Sequence, residues 1–363
     1  MAPASAPPAN RLPSHLHDYP ARAQGRLEPA IWNYLMEGDG PAGHHARALR
    51  DCALVPRPLQ AVAGGHTRCS LFGQPLQHPL LVAPIAYQRL FHPDGEIACA
   101  MAASAQGAPM VISSLASQPL ATIAAAARAG QPGGAWFQLY WQGQRDATLA
   151  LLRRAEDAGC CAIMWTVDAP VKPAGLLLPA GISAVNLPPP NALAARPDAA
   201  ADANNSRVFD GWMRQAPVWE DLHWLRQQTR LPLLLKGVMH PDDATQAVAA
   251  GCDGLVVSAH GGRVLANTPT SLDALRAINR RIQGRVPVLF DSGIRSGHDV
   301  YIALAHGASA VLIGRPVIWG LATHGALGVA HVLRLLRDEL EMTMALTGCK
   351  DLSDMGPACL SLG

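Results

Sequence analysis

The chain has 363 residues, 49% of them hydrophobic and 15% charged, which is enough for one large α/β domain or two smaller ones and too apolar for wholesale disorder. Its formal charge is only +2 and no Lys/Arg-rich block occurs, which argues against a nucleic-acid partner. Eight scattered cysteines without a C-x-x-C pair read as reduced, mostly buried thiols of a cytoplasmic protein, and no metal site is expected.

Residues 1–24, rich in Pro and Ala, lack the apolar stretch of a signal peptide and are expected to form a flexible tail ahead of a single domain over 25–363. No uninterrupted run of 18 apolar residues occurs, so no membrane partner is expected. From residue 80 onward, strand-like apolar runs alternate with helix-like segments at the spacing of βα units. The runs lie at 80–83, 110–113, 136–139, 162–167, 232–236, 254–258, 286–291 and 310–313. Helical patterns rich in Ala and Leu cover 96–106, 118–128, 146–158, 219–228, 241–250, 271–282 and 297–305, and a long amphipathic helix covers 322–346. Eight strands, each followed by a helix, predict an α/β fold of the (β/α)8 TIM-barrel type. A doubly wound open sheet would need a glycine-rich fingerprint after the first strand, where Pro84-Ile-Ala-Tyr87 stands instead. One long loop after strand four, 170–217, breaks the rhythm and reads either as a lid or as a solvated connector.

In a barrel of this kind chemistry collects on the loops that follow the strands. The first strand ends in Pro84-Ile85-Ala86, the second in Ser113-Ser114, the third in Gln138-Leu-Tyr140 and the fourth in Thr166-Val-Asp168. The fifth gives Lys236-Gly237, a cation near the barrel axis or else one arm of a rim salt bridge. The sixth delivers Ser258, His260 and Arg263 with two glycines between the last pair. Histidine titrates near neutrality, and the arginine fork suits a carboxylate or phosphate. Together they suggest a base and an anion clamp for a small acid, against the plainer reading of a capped strand end with a surface arginine. The seventh and eighth ends, Asp291-Ser-Gly293-Ile-Arg295 and Gly314-Arg315, offer glycine amides, two arginines and helix N-termini that suit a phosphate monoester.

These residues carry a resemblance. The segments Leu81-Val-Ala-Pro-Ile-Ala86, His92-Pro-Asp-Gly-Glu96, Trp136-Phe-Gln-Leu-Tyr140, Thr166-Val-Asp168, Leu235-Lys-Gly-Val238, Ser258-x-His-Gly-Gly-Arg263, Asp291-Ser-Gly-Ile-Arg295 and Ile313-Gly-Arg-Pro316 occur in order. So arranged, the chain resembles the FMN-dependent 2-hydroxy-acid oxidases and dehydrogenases, from about residue 31 to residue 355. The resemblance implies an N-terminal helical extension carrying Tyr34, bound FMN, and oxidation of a small 2-hydroxy acid with O2 or another electron acceptor. It implies that Pro84, Ile85 and Ala86 pass under the flavin ring, that Ser113, Gln138, Thr166 and Ser258 hydrogen-bond it, and that Lys236 sits beside N1 and O2. Arg295, Gly314 and Arg315 would hold the phosphate, with Asp291 and Gly293 in the same cofactor loop. Tyr34 and Arg263 would clamp the substrate carboxylate, Tyr140 would bond near the reacting carbon, and His260 would be the base with Asp168 as its partner. A homotetramer is also implied.

The pattern has departures. Ala259 stands where the family has Asn, and Ala266 where it has Asp. The arginine-rich stretch expected after Asp168 reads Ala169-Pro-Val-Lys172-Pro-Ala-Gly, with Lys172 its only cation. Leu115 replaces a bulky aromatic, which favours a larger, mandelate-like substrate. Two rival outcomes remain in view: a specialised flavoenzyme with a decarboxylating or monooxygenase reaction, and a barrel that binds FMN without turnover.

Overall fold

The computed structural model describes residues 11–38, 43–130, 134–170, 177–187 and 206–361. Three helices, α1 (Tyr19–Gln24), α2 (Pro29–Met36) and α3 (His44–Arg50), precede a hairpin of β1 (Cys69–Leu71) and β2 (Gln74–Leu76). The alternating units follow: β3 (Leu80–Val82), α4 (Gly95–Gln106), β4 (Met110–Ser113), α5 (Leu120–Arg128), β5 (Ala135–Leu139), α6 (Arg145–Asp157), β6 (Ile163–Thr166) and α7 (Trp219–Gln228). The second half holds β7 (Leu233–Val238), α8 (Pro241–Ala249), β8 (Gly254–Val257), α9 (Ser271–Ile282), β9 (Val288–Phe290), α10 (Gly297–Ala305), β10 (Ala310–Ile313) and α11 (Arg315–Leu346). Strands β3 to β10 are parallel, and β10 pairs back onto β3 with Val311 opposite Leu80, closing the eight-stranded barrel.

The strands are apolar on both faces because both faces are covered. Alternate residues sort into two clusters. Leu80, Val82, Met110, Ile112, Phe137 and Trp165 point outward into the layer between strands and helices. Leu81, Val111, Trp136, Met164, Leu234, Val256, Leu289 and Leu312 point inward and fill the barrel. The β1–β2 hairpin plugs the end where the strands begin. Its two-residue turn places both Phe72 (φ 51°) and Gly73 (φ 76°) in the left-handed region that such turns require. The Phe72 ring then lies 5.7 Å from Trp136, and a Cβ at Gly254 would sit only 2.9 Å from its tip. Strands of three residues are too short to show alternation, which is why the hairpin is not legible in the sequence.

Two expectations change. Residues 1–24 are not a tail throughout: Leu16, Tyr19 and Ala23 are buried, and α1 packs on α11 with the Tyr19 hydroxyl 2.7 Å from His331 Nδ1. Only residues 1–10 of that stretch lie outside the described residues. The last helix starts at Arg315 rather than 322 and breaks at His324 and Gly325, where the backbone leaves helical angles. Its length and apolarity would suit a membrane span, but most of it is buried in the core. Within the long loop, Lys172 lies outside the described residues. Asn186 anchors the described segment 177–187 by accepting from Leu120 N at 2.9 Å and donating to Gln118 O at 2.9 Å.

Replacing Tyr19 by Ala should cost about 3–5 kcal/mol, and by Phe about 0.5–1.5 kcal/mol, in chemical denaturation; a tail residue would cost nothing. Buried His78 donates from Nε2 to Gln106 O and accepts at Nδ1 from Leu80 N, and burial pulls its pKa down to about 4. The unfolded chain takes up this proton near pH 6.5, so it holds more protons than the native state between there and about pH 4, and stability falls as pH falls through that window. Denaturation midpoints of His78→Gln at pH 4.5 and 7 should therefore lie closer together than those of the parent.

Candidate active site

One step above the inward apolar ring, period-two alternation brings Ala83, Ser113, Gln138, Thr166, Lys236, Ser258, Asp291 and Gly314 to the barrel mouth. The barrel is thus oily below and polar at its upper rim. Ser113 Oγ donates to Gln138 Oε1 at 3.3 Å, and Ser114 N donates to the same oxygen at 3.2 Å. Gln138 Nε2 and Thr166 Oγ1 are buried and have no hydrogen-bond partner among the described residues. Each such orphan costs about 1–3 kcal/mol, so their presence at a mouth points to a polar ligand. An amide donor, a hydroxyl and an ammonium group around one opening fit the polar edge of a flat heterocycle such as the flavin ring.

Lys236 Nζ, buried, lies 3.2 Å from Asp291 Oδ2 and donates to Ser258 Oγ at 2.9 Å. Burial works against both charges. For Lys236, Asp291 and then Asp168 outweigh it and raise the ammonium pKa; for Asp291, Lys236 and the two serine hydroxyls outweigh it and lower the carboxyl pKa. Asp291 Oδ1 accepts from Ser258 Oγ and from Ser292 Oγ, each at 2.6 Å. The serine oxygens in turn accept backbone amides: Ser258 that of His260 at 3.0 Å, Ser292 those of Ala259 at 3.2 Å and Gly261 at 3.1 Å. His260, Gly261 and Gly262 are three successive residues with positive φ (53°, 66° and 75°). This turn is what aims the histidine, and the Asp291 cluster holds it. Both carboxylate oxygens of Asp291 are engaged by protein donors, so it also supports the site from within.

His260 Nδ1 donates to Asp168 Oδ1 at 2.9 Å. A carboxylate can only accept, so Nδ1 carries the proton and Nε2, 3.5 Å from the Tyr140 hydroxyl, is the basic nitrogen. Asp168 has room because β7 bulges at Gly237 (φ 101°), where a Cβ would lie 2.5 Å from the Asp168 side chain. Burial raises the hydroxyl pKa of Tyr140, Tyr34 and Tyr87; Tyr140 also feels Tyr34 and Tyr87, and Tyr87 feels Tyr34. Three of the chain's five tyrosines thus gather here.

Arg263 lies 5.0 Å over the Tyr34 ring and donates to the carbonyls of Tyr34 and Leu35. Arg315 donates to the carbonyls of Leu35, Glu37 and Gly261. The last carbonyls of a helix lack intrahelical donors, and the two guanidinium groups satisfy those of Tyr34 and Leu35 in the last turn of α2. Gly38 (φ 85°) lets the chain after α2 touch the histidine turn, since a Cβ there would lie 2.6 Å from Gly262. Arg295, in the loop that leads into α10, bonds Ile294 O at 2.8 Å and lies 5.5 Å over the Trp319 ring near the start of α11. Gly293 has a packing reason of its own: a Cβ there would meet the His45 carbonyl of α3 at 2.8 Å. Pro84, Ile85 and Ala86 are half-buried in the loop after β3.

Three residues that shape the site were not anticipated. Buried Glu96 accepts from Gln88 N and from Ser117 N and Oγ, tying the loop after β3 to the loop after β4. Ser292 is described above. Tyr87, in left-handed backbone at φ 52°, follows Ala86 directly, and a tyrosine next to a strand-end motif was the available signal.

A family profile described as FMN-dependent dehydrogenase matches residues 23–362. The chain is 45% identical over 359 residues to an L-lactate oxidase of Alicycliphilus denitrificans, spanning 91% of this chain and 96% of that protein. It is 41% identical over 347 residues to a 4-hydroxymandelate oxidase of Amycolatopsis orientalis, spanning 92% and 94%. Among solved structures, mandelate oxidase with (S)-2-phenylpropionate matches with a TM-score of 0.82 at 39% identity, covering 96% of this chain and 97% of that one.

Ser292→Gly relaxes a left-handed backbone position (φ 80°) but removes three hydrogen bonds, so the melting temperature should fall. The amides of Ala259 and Gly261 lose their acceptor, so their hydrogen exchange should quicken by about an order of magnitude. Unchanged exchange would show that the hydroxyl does not hold the turn.

Proposed function

The chain belongs to the FMN-dependent dehydrogenase family, and from that premise we propose that it oxidises an L-2-hydroxy acid with a larger, mandelate-like side chain to the 2-oxo acid. His260 serves as base, and dioxygen is the final acceptor of the electrons. The observation that carries this reading is the His260–Asp168 pair, with its basic nitrogen turned toward Tyr140 at a polar barrel mouth.

Bound FMN supplies a two-electron acceptor. The residues suited to hold it are those of the mouth layer: Ser113, Gln138, Thr166, Lys236 and Ser258 at the ring, the half-buried Pro84-Ile85-Ala86 loop beneath it, and Arg295, Gly314 and Arg315 at the phosphate. Lys236 keeps a fixed positive charge where a reduced ring gathers negative charge. On the substrate side, Arg263 and Tyr34 orient the carboxylate. A guanidinium has five N–H donors, so the two carbonyls that Arg263 holds do not exhaust it. His260 Nε2 takes a proton from the substrate, and the Asp168 carboxylate stabilises the imidazolium that forms.

The larger substrate is supported by Leu115, half-buried beside the site where Tyr87 N bonds its carbonyl, and by likeness to mandelate and 4-hydroxymandelate oxidases. A second reading, L-lactate, is favoured by likeness to L-lactate oxidases. The acceptor is supported by the relatives, which are named as oxidases.

His260→Gln should retain FMN, seen in its absorption spectrum, and slow anaerobic flavin bleaching by substrate by about 10²–10⁴-fold. Bleaching at the parent rate would remove His260 from the chemistry. In the parent protein, (S)-mandelate should bleach the flavin at a higher kcat/KM than L-lactate, and air should then restore the colour with release of hydrogen peroxide. The reverse order would favour the lactate reading, and absence of bleaching by either acid would favour binding without turnover.

A further inference from the structure

Outside the mouth, one cluster of reactive side chains has no part in the reaction above. Where α11 ends, Gly348 (φ 76°) turns the chain and brings Cys349 Sγ to 3.7 Å from the Sγ of Cys359, in the turn Pro357–Cys359. Both backbones are pinned. Cys349 N donates to Met344 O at 2.8 Å, Val55 N donates to Cys359 O at 3.0 Å, and Leu360 pairs with Leu54. A disulfide needs S–S of about 2.05 Å, so closure asks for an approach of about 1.7 Å, within reach of side-chain rotation. A surface cavity of about 480 Å³, lined by Arg57, Gln60, Lys350 and both cysteines, opens the pair to small solutes.

We propose that Cys349 and Cys359 form a peroxide-reactive dithiol that closes to a disulfide and fastens the C-terminal segment to the end of α11. The Cys359 thiolate attacks one oxygen of hydrogen peroxide; the O–O bond breaks, leaving a sulfenic acid on Cys359 and, after proton uptake, one water. Cys349 Sγ then attacks the Cys359 sulfur, the S–S bond forms, and the departing hydroxide takes the Cys349 proton as a second water. Two thiols are oxidised and one peroxide is reduced to two waters.

The environment separates the two roles. Burial pushes the thiols of Cys69 and Cys161 up to about 11 and those of Cys160 and Cys252 up to about 12, and it raises Cys349 as well. At Cys359 burial acts in the same sense but is outweighed by the Tyr301 hydroxyl, the Gly356 backbone, the Cys349 thiol and the Arg57 charge, which hold it below the usual thiol value. The thiol held lower is the one assigned the attack, and the 3.7 Å approach of the two sulfurs lets the other resolve it. If dioxygen is the acceptor as proposed above, the protein makes this oxidant itself; the dithiol chemistry needs only a peroxide from any source.

The test adds hydrogen peroxide to the FMN-loaded protein, so its outcome is independent of how peroxide arises in turnover. Free thiols, counted after denaturation, should fall from eight to six, with a linked 349–359 peptide about 2 Da lighter than its reduced parts and full recovery with dithiothreitol. Cys349→Ser should instead leave a sulfenic acid at Cys359 that a cyclic dione traps. Retention of all eight thiols, or a linkage through any other pair, overturns the proposal.

Discussion

A lysine ammonium group buried at the top of an apolar barrel is the constraint around which the rest is arranged. Taking such a charge out of water costs several kcal/mol unless an opposite charge and hydrogen bonds replace the solvent. Asp291 supplies the charge to Lys236, and Ser258 adds a hydroxyl. The same carboxylate, through Ser258 and Ser292, fixes the amides of a turn with three successive left-handed residues. Charge compensation inside the barrel and the aim of His260 are therefore one network, and neither can be altered alone.

The mouth is completed from outside the barrel. Helix α2 ends over it with unsatisfied carbonyls, and Arg263 and Arg315 meet them from the loop after β8 and the start of α11. This contact sets Tyr34 beside Arg263 and brings Gly38 against the histidine turn. The N-terminal segment is thus part of the site's construction, and the buried α1 ties that segment to the helix that Arg315 begins.

The polar rim was legible in the sequence because strands alternate strictly. Once Leu81, Val111, Trp136 and Met164 face inward, Ala83, Ser113, Gln138 and Thr166 must do so too, and the same parity carries Lys236, Ser258 and Asp291 to the mouth. His260 and Asp168 were legible as residue types just past strand ends, where a barrel keeps its chemistry. The three-residue strands of the hairpin were not, since their inward Leu71 and Leu76 make no pattern by themselves. Residues 16–24 share the Pro/Ala composition of what precedes them, so the burial of Tyr19 shows only when α11 lies beside it. Glu96 looked like a helix-start acid and Ser292 like a linker between two recognisable residues; both matter through partners more than 20 residues away.

Composition, period and order along the chain were enough to specify an eight-stranded parallel barrel with polar and ionisable groups at its strand ends, while the flavin and the pairing of His260 with Asp168 came from the family resemblance those motifs carry. These are properties of residue type and spacing, which the chain carries wherever it lies. Which hydrogen bonds those groups make depends on contacts between segments remote in sequence. Asp291 faces inward to Lys236 and the serines, Arg315 reaches the carbonyls of α2, and Cys349 meets Cys359 because closure of the barrel and the return of the C-terminal segment bring them together. Such pairings are settled by packing in space, and no local pattern encodes them.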